Sequence, residues 1–174
     1  MARLISFAAI FGLLVVGAPA GPVPEVEPNN SFAGAQFLPA DFFVPYGAGA
    51  VAGALASGDV DFYAVYLPAD VLTTASVFDY TPGDDYDNDS YLGVFAPDGT
   101  LFDVDDDDGP GYLSSIHFFP PVSGMWRFAV TGYGDTGFTG SHGENFDYRL
   151  VLSIPEPASL ALLALGGLCL VRRR

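Results

Sequence analysis

Three different rhythms of apolar and polar residues run along the chain. At the start, Leu4 to Val16 is continuously apolar behind the single positive charge of Arg3. Through the middle, short runs alternate apolar and polar with period two and are broken by Gly, Pro and Asp. At the end, Ala158 to Val171 holds no charged residue and is followed by Arg172, Arg173 and Arg174.

The period-two rhythm predicts strands near Val44–Leu55, Val60–Leu67, Leu72–Phe78, Ser90–Phe95, Thr100–Val104, Ser114–Phe119, Met125–Thr131 and Phe146–Ser153. Phe62, Ala64 and Tyr66 share one face, and Tyr63, Val65 and Leu67 share the other. Trp126, Phe128 and Val130 alternate in the same way, as do Tyr148, Leu150 and Leu152. Ala96-Pro97-Asp98-Gly99 is a turn signal between two strands. Helix is scarce: Asn29 to Ala35 has room for one short turn capped by Asn or Ser, and Gly132 to Asn145 reads as a loop. Regularly spaced short strands of this kind imply an all-β fold. The expected form is a single antiparallel β-sandwich, jelly-roll-like, over residues 21–154.

The apolar start reads as a secretory signal peptide over residues 1–20. Arg3 supplies the positive region, Leu4 to Val16 the apolar helix, and Ala18-Pro19-Ala20 the small-x-small cleavage pattern. The alternative, a retained anchor, meets a run shorter than the ~20 residues a span requires. Cleavage after Ala20 makes Gly21 the new N-terminus.

The apolar end has a different grammar. Pro155-Glu156-Pro157 continues neither strand nor helix, because proline lacks the N–H and clashes with a preceding turn. A short transmembrane helix and a basic tip follow. Arginines beside such a helix favour the cytoplasmic face, which leaves residues 21–154 outside. These residues resemble the PEP-CTERM sorting signal of exported Gram-negative proteins, with all three of its parts in order over residues 155–174. The resemblance implies processing by an exosortase, a membrane cysteine protease, with Pro155, Glu156 and Pro157 as substrate residues. It also implies a transient stay in the inner membrane, held by the C-terminal helix, and then delivery to the cell envelope or the extracellular matrix. An ordinary single-pass anchor with a proline-rich stem is the alternative.

Charge narrows the function classes. Between Gly21 and Ile154 stand 20 acids and two arginines, and the chain has no lysine. A net charge near −18 excludes nucleic acid as a partner, since phosphates require cationic neighbours, and it invites divalent cations. The only cysteine, Cys169, lies in the tail, so the exported region has no disulfide.

Four acidic runs are candidates for metal. In Glu25-Val26-Glu27-Pro28-Asn29-Asn30 the two glutamates fall on one side of an extended chain, and the asparagines add amide oxygens. In Gly58-Asp59-Val60-Asp61 both aspartates again face one side. Hard oxygen donors suit calcium, which takes six to eight. If these two runs meet in space they form one site; otherwise they are a polar linker and a turn. Asp103-Val104-Asp105-Asp106-Asp107-Asp108-Gly109 crowds five carboxylates together, and Asp103, Asp105 and Asp107 form a possible second site. Asp84 to Asp89 is similar. Neither run is an EF-hand loop, because the required Gly and Glu positions hold other residues.

The middle also resembles a known family, the bacterial pre-peptidase C-terminal (PPC) domain, a small β-sandwich of exported proteins. The resemblance runs through EVEPNNSFAGAQ, GALASGDVDFYAVYLPA, DSYLGVFAPDGTLFDVDDDDGPG, SGMWRFAVTGYGD and FDYRLVLS. Calcium-binding relatives place ligands in the first two segments. Carried onto this chain, that implies Glu25, Glu27, Asn29, Asn30, Asp59 and Asp61 as ligands. No peptidase domain precedes the module in this chain.

Catalytic patterns are absent from the sequence: it has no Gly-x-Ser-x-Gly elbow and no His-Glu-x-x-His motif. Ser141 and His142 are adjacent, but sequence neighbours seldom align for proton transfer. The expectation is an exported, non-catalytic, calcium-stabilised module. The alternatives are polysaccharide binding through Tyr112, Tyr133 or Trp126, and a minor hydrolase.

Overall fold

A computed structural model describes residues 21–44, 47–80 and 88–154. The expected signal peptide and transmembrane helix, and the Pro155–Pro157 motif, lie outside the described residues. Among those described, no helix is long and apolar enough to cross a membrane.

The described chain is all-β, with ten strands in two packed five-stranded sheets. The first sheet contains β1 (Val23–Pro24), β3 (Ala48–Leu55), β10 (Phe146–Ser153), β5 (Thr73–Asp79) and β8 (Ser115–Phe118), in that spatial order. The second contains β2 (Gln36–Phe37), β4 (Asp61–Leu67), β9 (Gly124–Gly132), β6 (Ser90–Phe95) and β7 (Leu101–Asp105). The wholly antiparallel, jelly-roll-like expectation needs correction, because both sheets are mixed. β1 lies parallel to β3 and β2 lies parallel to β4, each through two residues. These edge pairings come from the N-terminal arm, which runs alongside strands that follow it in the chain. The remaining pairings between strands are antiparallel, and an isolated bridge between Asp89 and Tyr112 is parallel.

Alternation explains the core. Tyr63, Val65 and Leu67 on β4 and Trp126, Phe128 and Val130 on β9 turn inward to meet Val51, Val77, Tyr148, Leu150 and Leu152 from the other sheet. Phe118 of the first sheet lies 5.3 Å from Trp126 of the second, ring centroid to ring centroid. Each such side chain, once removed from water, contributes about 1.5–3 kcal/mol. Two packed sheets sharing one core make a β-sandwich.

The outer face of β4 is covered as well. Phe62, Ala64 and Ala129 are buried beneath Ala35 and Phe138, which explains why β4 reads as a nearly continuous apolar run. Phe138 comes from the 133–145 loop and lies over Gly93, where a Cβ would fall 2.3 Å from its ring. Asp135 fixes that loop by accepting hydrogen bonds from the backbone N–H of Thr139 and Gly140 and from the Thr131 hydroxyl. Burial alone would raise its pKa, but these donors hold the carboxyl below the usual aspartate value. The short turn expected near residue 31 is present, with Gly34 N–H donating to Ser31 Oγ.

Candidate metal centre

The centre lies where the N-terminal arm crosses the start of β4. Pairing of Val23 and Pro24 with β3 carries the chain to Glu25, whose N–H donates to the Ala52 carbonyl at 2.9 Å. Three donors reach the Glu25 carboxylate. Oε2 accepts from Ala54 N–H at 2.9 Å, and Oε1 accepts from the Tyr63 hydroxyl at 2.6 Å and from Asn29 Nδ2 at 3.0 Å. Two residues on, Glu27 accepts from Asn29 N–H at 2.8 Å, and a cis peptide joins Glu27 to Pro28. The Asn29 carbonyl receives Phe62 N–H at 3.0 Å, which clips the arm onto β4.

The first two acidic runs of the sequence therefore do meet. One carboxylate oxygen from each of Glu25, Glu27 and Asp61 lies within 4.8 Å of the others. Asn29 and Asp61 are fully buried, at 0% exposure. Asn30 and Asp59 sit at the margin and engage each other, Asn30 Nδ2 donating to Asp59 Oδ1 at 2.5 Å.

Sequence reasoning missed two tyrosines. Tyr63 and Tyr148 are both fully buried and their hydroxyl oxygens lie 2.6 Å apart; the Tyr148 oxygen is 2.7 Å from Asp61 Oδ2. The result is a four-member chain, Glu25–Tyr63–Tyr148–Asp61, that crosses from one sheet to the other. Three close contacts link these groups, and the two phenols bring only two protons. The third falls to the carboxyl pair at the two ends, and burial, then the nearby Glu25 charge, push the Asp61 pKa up to about 9, which favours Asp61 as its holder. The available signal was the placement of Asp61 and Tyr63 on one strand, but alternation assigns both to the apolar core face and says nothing of Tyr148.

Tyr148 reaches Asp61 because it folds over Gly53, its cross-strand partner. A Cβ at Gly53 would fall 2.5 Å from the ring carbon that bears the hydroxyl. Gly53→Ala is therefore expected to cost about 2 kcal/mol through overpacking, read as a lower urea midpoint at unchanged slope.

Two buried oxygens in this centre, Asn29 Oδ1 and Asp61 Oδ1, receive no hydrogen bond. Unpaired buried acceptors are costly, and hard cations are ligands that oxygens of this kind accept. The donor set of carboxylate and amide oxygens, without sulfur or imidazole, fits calcium.

The third acidic run, residues 103–109, is arranged differently from its spacing. Asp106 and Asp107 gather with Asp89, each offering an oxygen within 4.8 Å of the others. Asp103 Oδ1 accepts its neighbour Val104 N–H, and Asp105 Oδ2 accepts Ser115 and Asp108 N–H. Burial and the Asp106 charge push Asp89 up to about 6. Of the histidines, His117 is exposed on β8. His142 has both ring nitrogens committed, Nε2 to the Asp59 carbonyl at 2.6 Å and Nδ1 accepting Glu144 N–H at 3.1 Å. It therefore offers no free nitrogen to Ser141.

Comparison with known proteins bears on the tail and on the fold. The family model of the PEP-CTERM protein-sorting motif matches residues 153–174. The match implies exosortase-dependent processing and an exported protein destined for the envelope. No curated protein matches the chain in sequence. Among solved structures, the chain is similar to Aeromonas hydrophila PliG, a periplasmic inhibitor of g-type lysozyme. The identity is 18%, the TM-score is 0.50, and the alignment covers 69% of this chain and 96% of that one. PliG from Salmonella Typhimurium aligns at 16% identity and TM-score 0.45, over 69% and 98% of the two chains. A likeness at this identity is one of fold.

Proposed function

We propose that the chain is an exported, non-catalytic β-sandwich module whose N-terminal arm is locked to the sandwich by calcium. In this reading Glu25, Glu27, Asn29 and Asp61 hold the ion, and Asn30 and Asp59 brace the margin of the site. The observation that carries it is the pair of buried, unsatisfied oxygens, Asn29 Oδ1 and Asp61 Oδ1, beside two converging glutamates. The PPC-like segments around Glu25 and Asp61 support the same ligand set. The PEP-CTERM tail supplies the address, and the sandwich is its cargo in the envelope or the matrix.

The test is a thermal melt of the exported protein with calcium and with EDTA. Calcium at about a hundredfold above its dissociation constant is expected to add ~2.7 kcal/mol, a rise of several degrees in the midpoint. An unchanged midpoint rejects the site, and a rise with magnesium alone rejects calcium as its ion.

A second reading, recognition of a matrix polysaccharide, is favoured by one observation. Tyr112 and Tyr133 are exposed at 48% and 59%, and both are hydrogen-bonded through the backbone beside Asp89: Ser90 N–H donates to the Tyr112 carbonyl, and Tyr133 N–H to the Asp89 carbonyl. Exposed aromatic faces next to carboxylates suit sugar rings, which present both apolar C–H faces and hydroxyls.

A further inference from the structure

The two ends of the sandwich differ in chemistry, and the chain leaves from only one of them. Ile154 ends the described residues beside the start of β3, where its N–H donates to the Gly47 carbonyl at 2.7 Å. The same end carries the β4–β5 connection (68–72), the β6–β7 turn (96–100) and the β8–β9 connection (119–123). Asp70 N–H donates to the Pro120 carbonyl and Ala69 N–H to Ser123 Oγ, so two of these loops form one ordered rim.

That rim is apolar. Val44 is 65% exposed, Phe119 60%, Val122 52% and Leu72 37%. A groove beside it is lined by Phe37, Pro39, Phe43, Tyr66 and Met125. Among the described residues its loops contain three acids, Asp41, Asp70 and Asp98. The loops of the opposite end contain Asp59, Asp89, Asp106 to Asp108, Asp135 and Glu144.

We propose that the exit rim, built on Val44, Leu72, Phe119 and Val122, seats on the lipid surface of the membrane that holds the tail. This rests on reading residues 158–171 as the tail's membrane segment. Only Pro155, Glu156 and Pro157 separate Ile154 from that segment. Three residues reach at most about 10 Å, so the exit end is held at the bilayer surface whatever its composition. The end so held is the apolar one, which an interfacial layer of headgroups and upper acyl chains accommodates. Strands of this length put the acid-rich loops roughly 25 Å away. That is several Debye lengths, so their repulsion from anionic lipid is screened. The short linker and the segregated surface are independent observations, and they select the same face.

The test uses the full chain in vesicles of phosphatidylethanolamine and phosphatidylglycerol, without exosortase. Single cysteines, Val122→Cys at the rim and Ser141→Cys at the far end, each in a Cys169→Ser background, carry an environment-sensitive fluorophore. Lipid-borne nitroxide is expected to quench the rim label at least about threefold more than the far label. Adding Val44→Asp and Phe119→Asp is expected to bring the rim label down to the far-end level, with the thermal midpoint unchanged because both positions are exposed. Vesicle flotation separates insertion of the tail from docking of the rim. Chains that fail to float overturn the tail reading and the docking together. Chains that float with equal quenching at both labels overturn the docking alone.

Discussion

In calcium-free buffer, the melting midpoint of the exported protein falls by roughly 10 °C between pH 5 and pH 9, and Asp61→Asn removes most of that fall. The sign follows from the buried position of Asp61. In the unfolded chain this carboxyl titrates near 3.8, and in the folded protein burial and the Glu25 charge push it up to about 9. Between those values the folded state keeps a proton that the unfolded state has released, so stability drops as pH rises. Below the window both states are protonated and the full contribution is present. Above it the folded protein carries a buried charge in contact with Tyr148. Asparagine at position 61 is neutral at every pH and can donate to Tyr148, which leaves the Tyr148–Tyr63–Glu25 contacts with a full set of protons. Asp89, Glu27 and Asp106, all raised, leave a smaller slope of the same sign. The check is calorimetry in EDTA across the range, and a parent midpoint independent of pH would contradict a protonated Asp61. With calcium present, Asp61→Asn should also lose the gain that the parent shows.

Trp126→Ala is expected to cost about 3–5 kcal/mol, enough to leave the domain marginal or unfolded at 37 °C. The indole is fully buried, packs edge-on against Phe102 at 5.2 Å, and donates its N–H to the Val122 carbonyl at 3.1 Å. Truncation removes ring contacts, opens a cavity and strands that carbonyl. The experiment also separates folding from ligand recognition. Trp126 was one of three aromatics that the sequence offered to a polysaccharide, and its place in the core takes it out of that role. Tyr133→Ala, on an exposed loop, should leave the urea midpoint within about 0.5 kcal/mol of the parent. Loss of retention on secreted polysaccharide in that variant alone would favour the glycan reading.

The strands were legible because alternation is a direct record of which face is buried. Ser90–Phe95 and Phe146–Ser153 lie where their patterns place them, and the others shift by a residue or two, except that β3 begins at Ala48 rather than Val44. Residues 41–44 instead turn back on themselves, with Val44 N–H donating to the Asp41 carbonyl. β1 and β2 were invisible for a physical reason: two residues do not make a period, and parallel edge pairing leaves no local mark. The meeting of Glu25 with Asp61 was legible as chemistry, since carboxylates and amides in two short runs suit one cation. The tyrosine bridge was not, because Tyr148 is brought to Asp61 by a pairing between strands nearly a hundred residues apart and by the missing side chain at Gly53. In the long aspartate run, spacing does not give the grouping: backbone N–H groups claim Asp103 and Asp105, and Asp89 joins Asp106 and Asp107 from the residue just before β6.

β10 is the final strand of the described chain, yet it occupies the middle of its sheet, between β3 and β5. A polypeptide leaves the ribosome, or passes through a translocation channel, N-terminus first. Until residues 146–153 are through, β3 has only the two-residue β1 beside it, β5 has only β8, and Asp61 waits for Tyr148. β9, also late, holds the corresponding place in the second sheet. Strand order thereby delays closure of each sheet until its central strand, which comes late in the chain, is available. The sandwich closes at its last strand, once residues 146–153 are free to enter between β3 and β5.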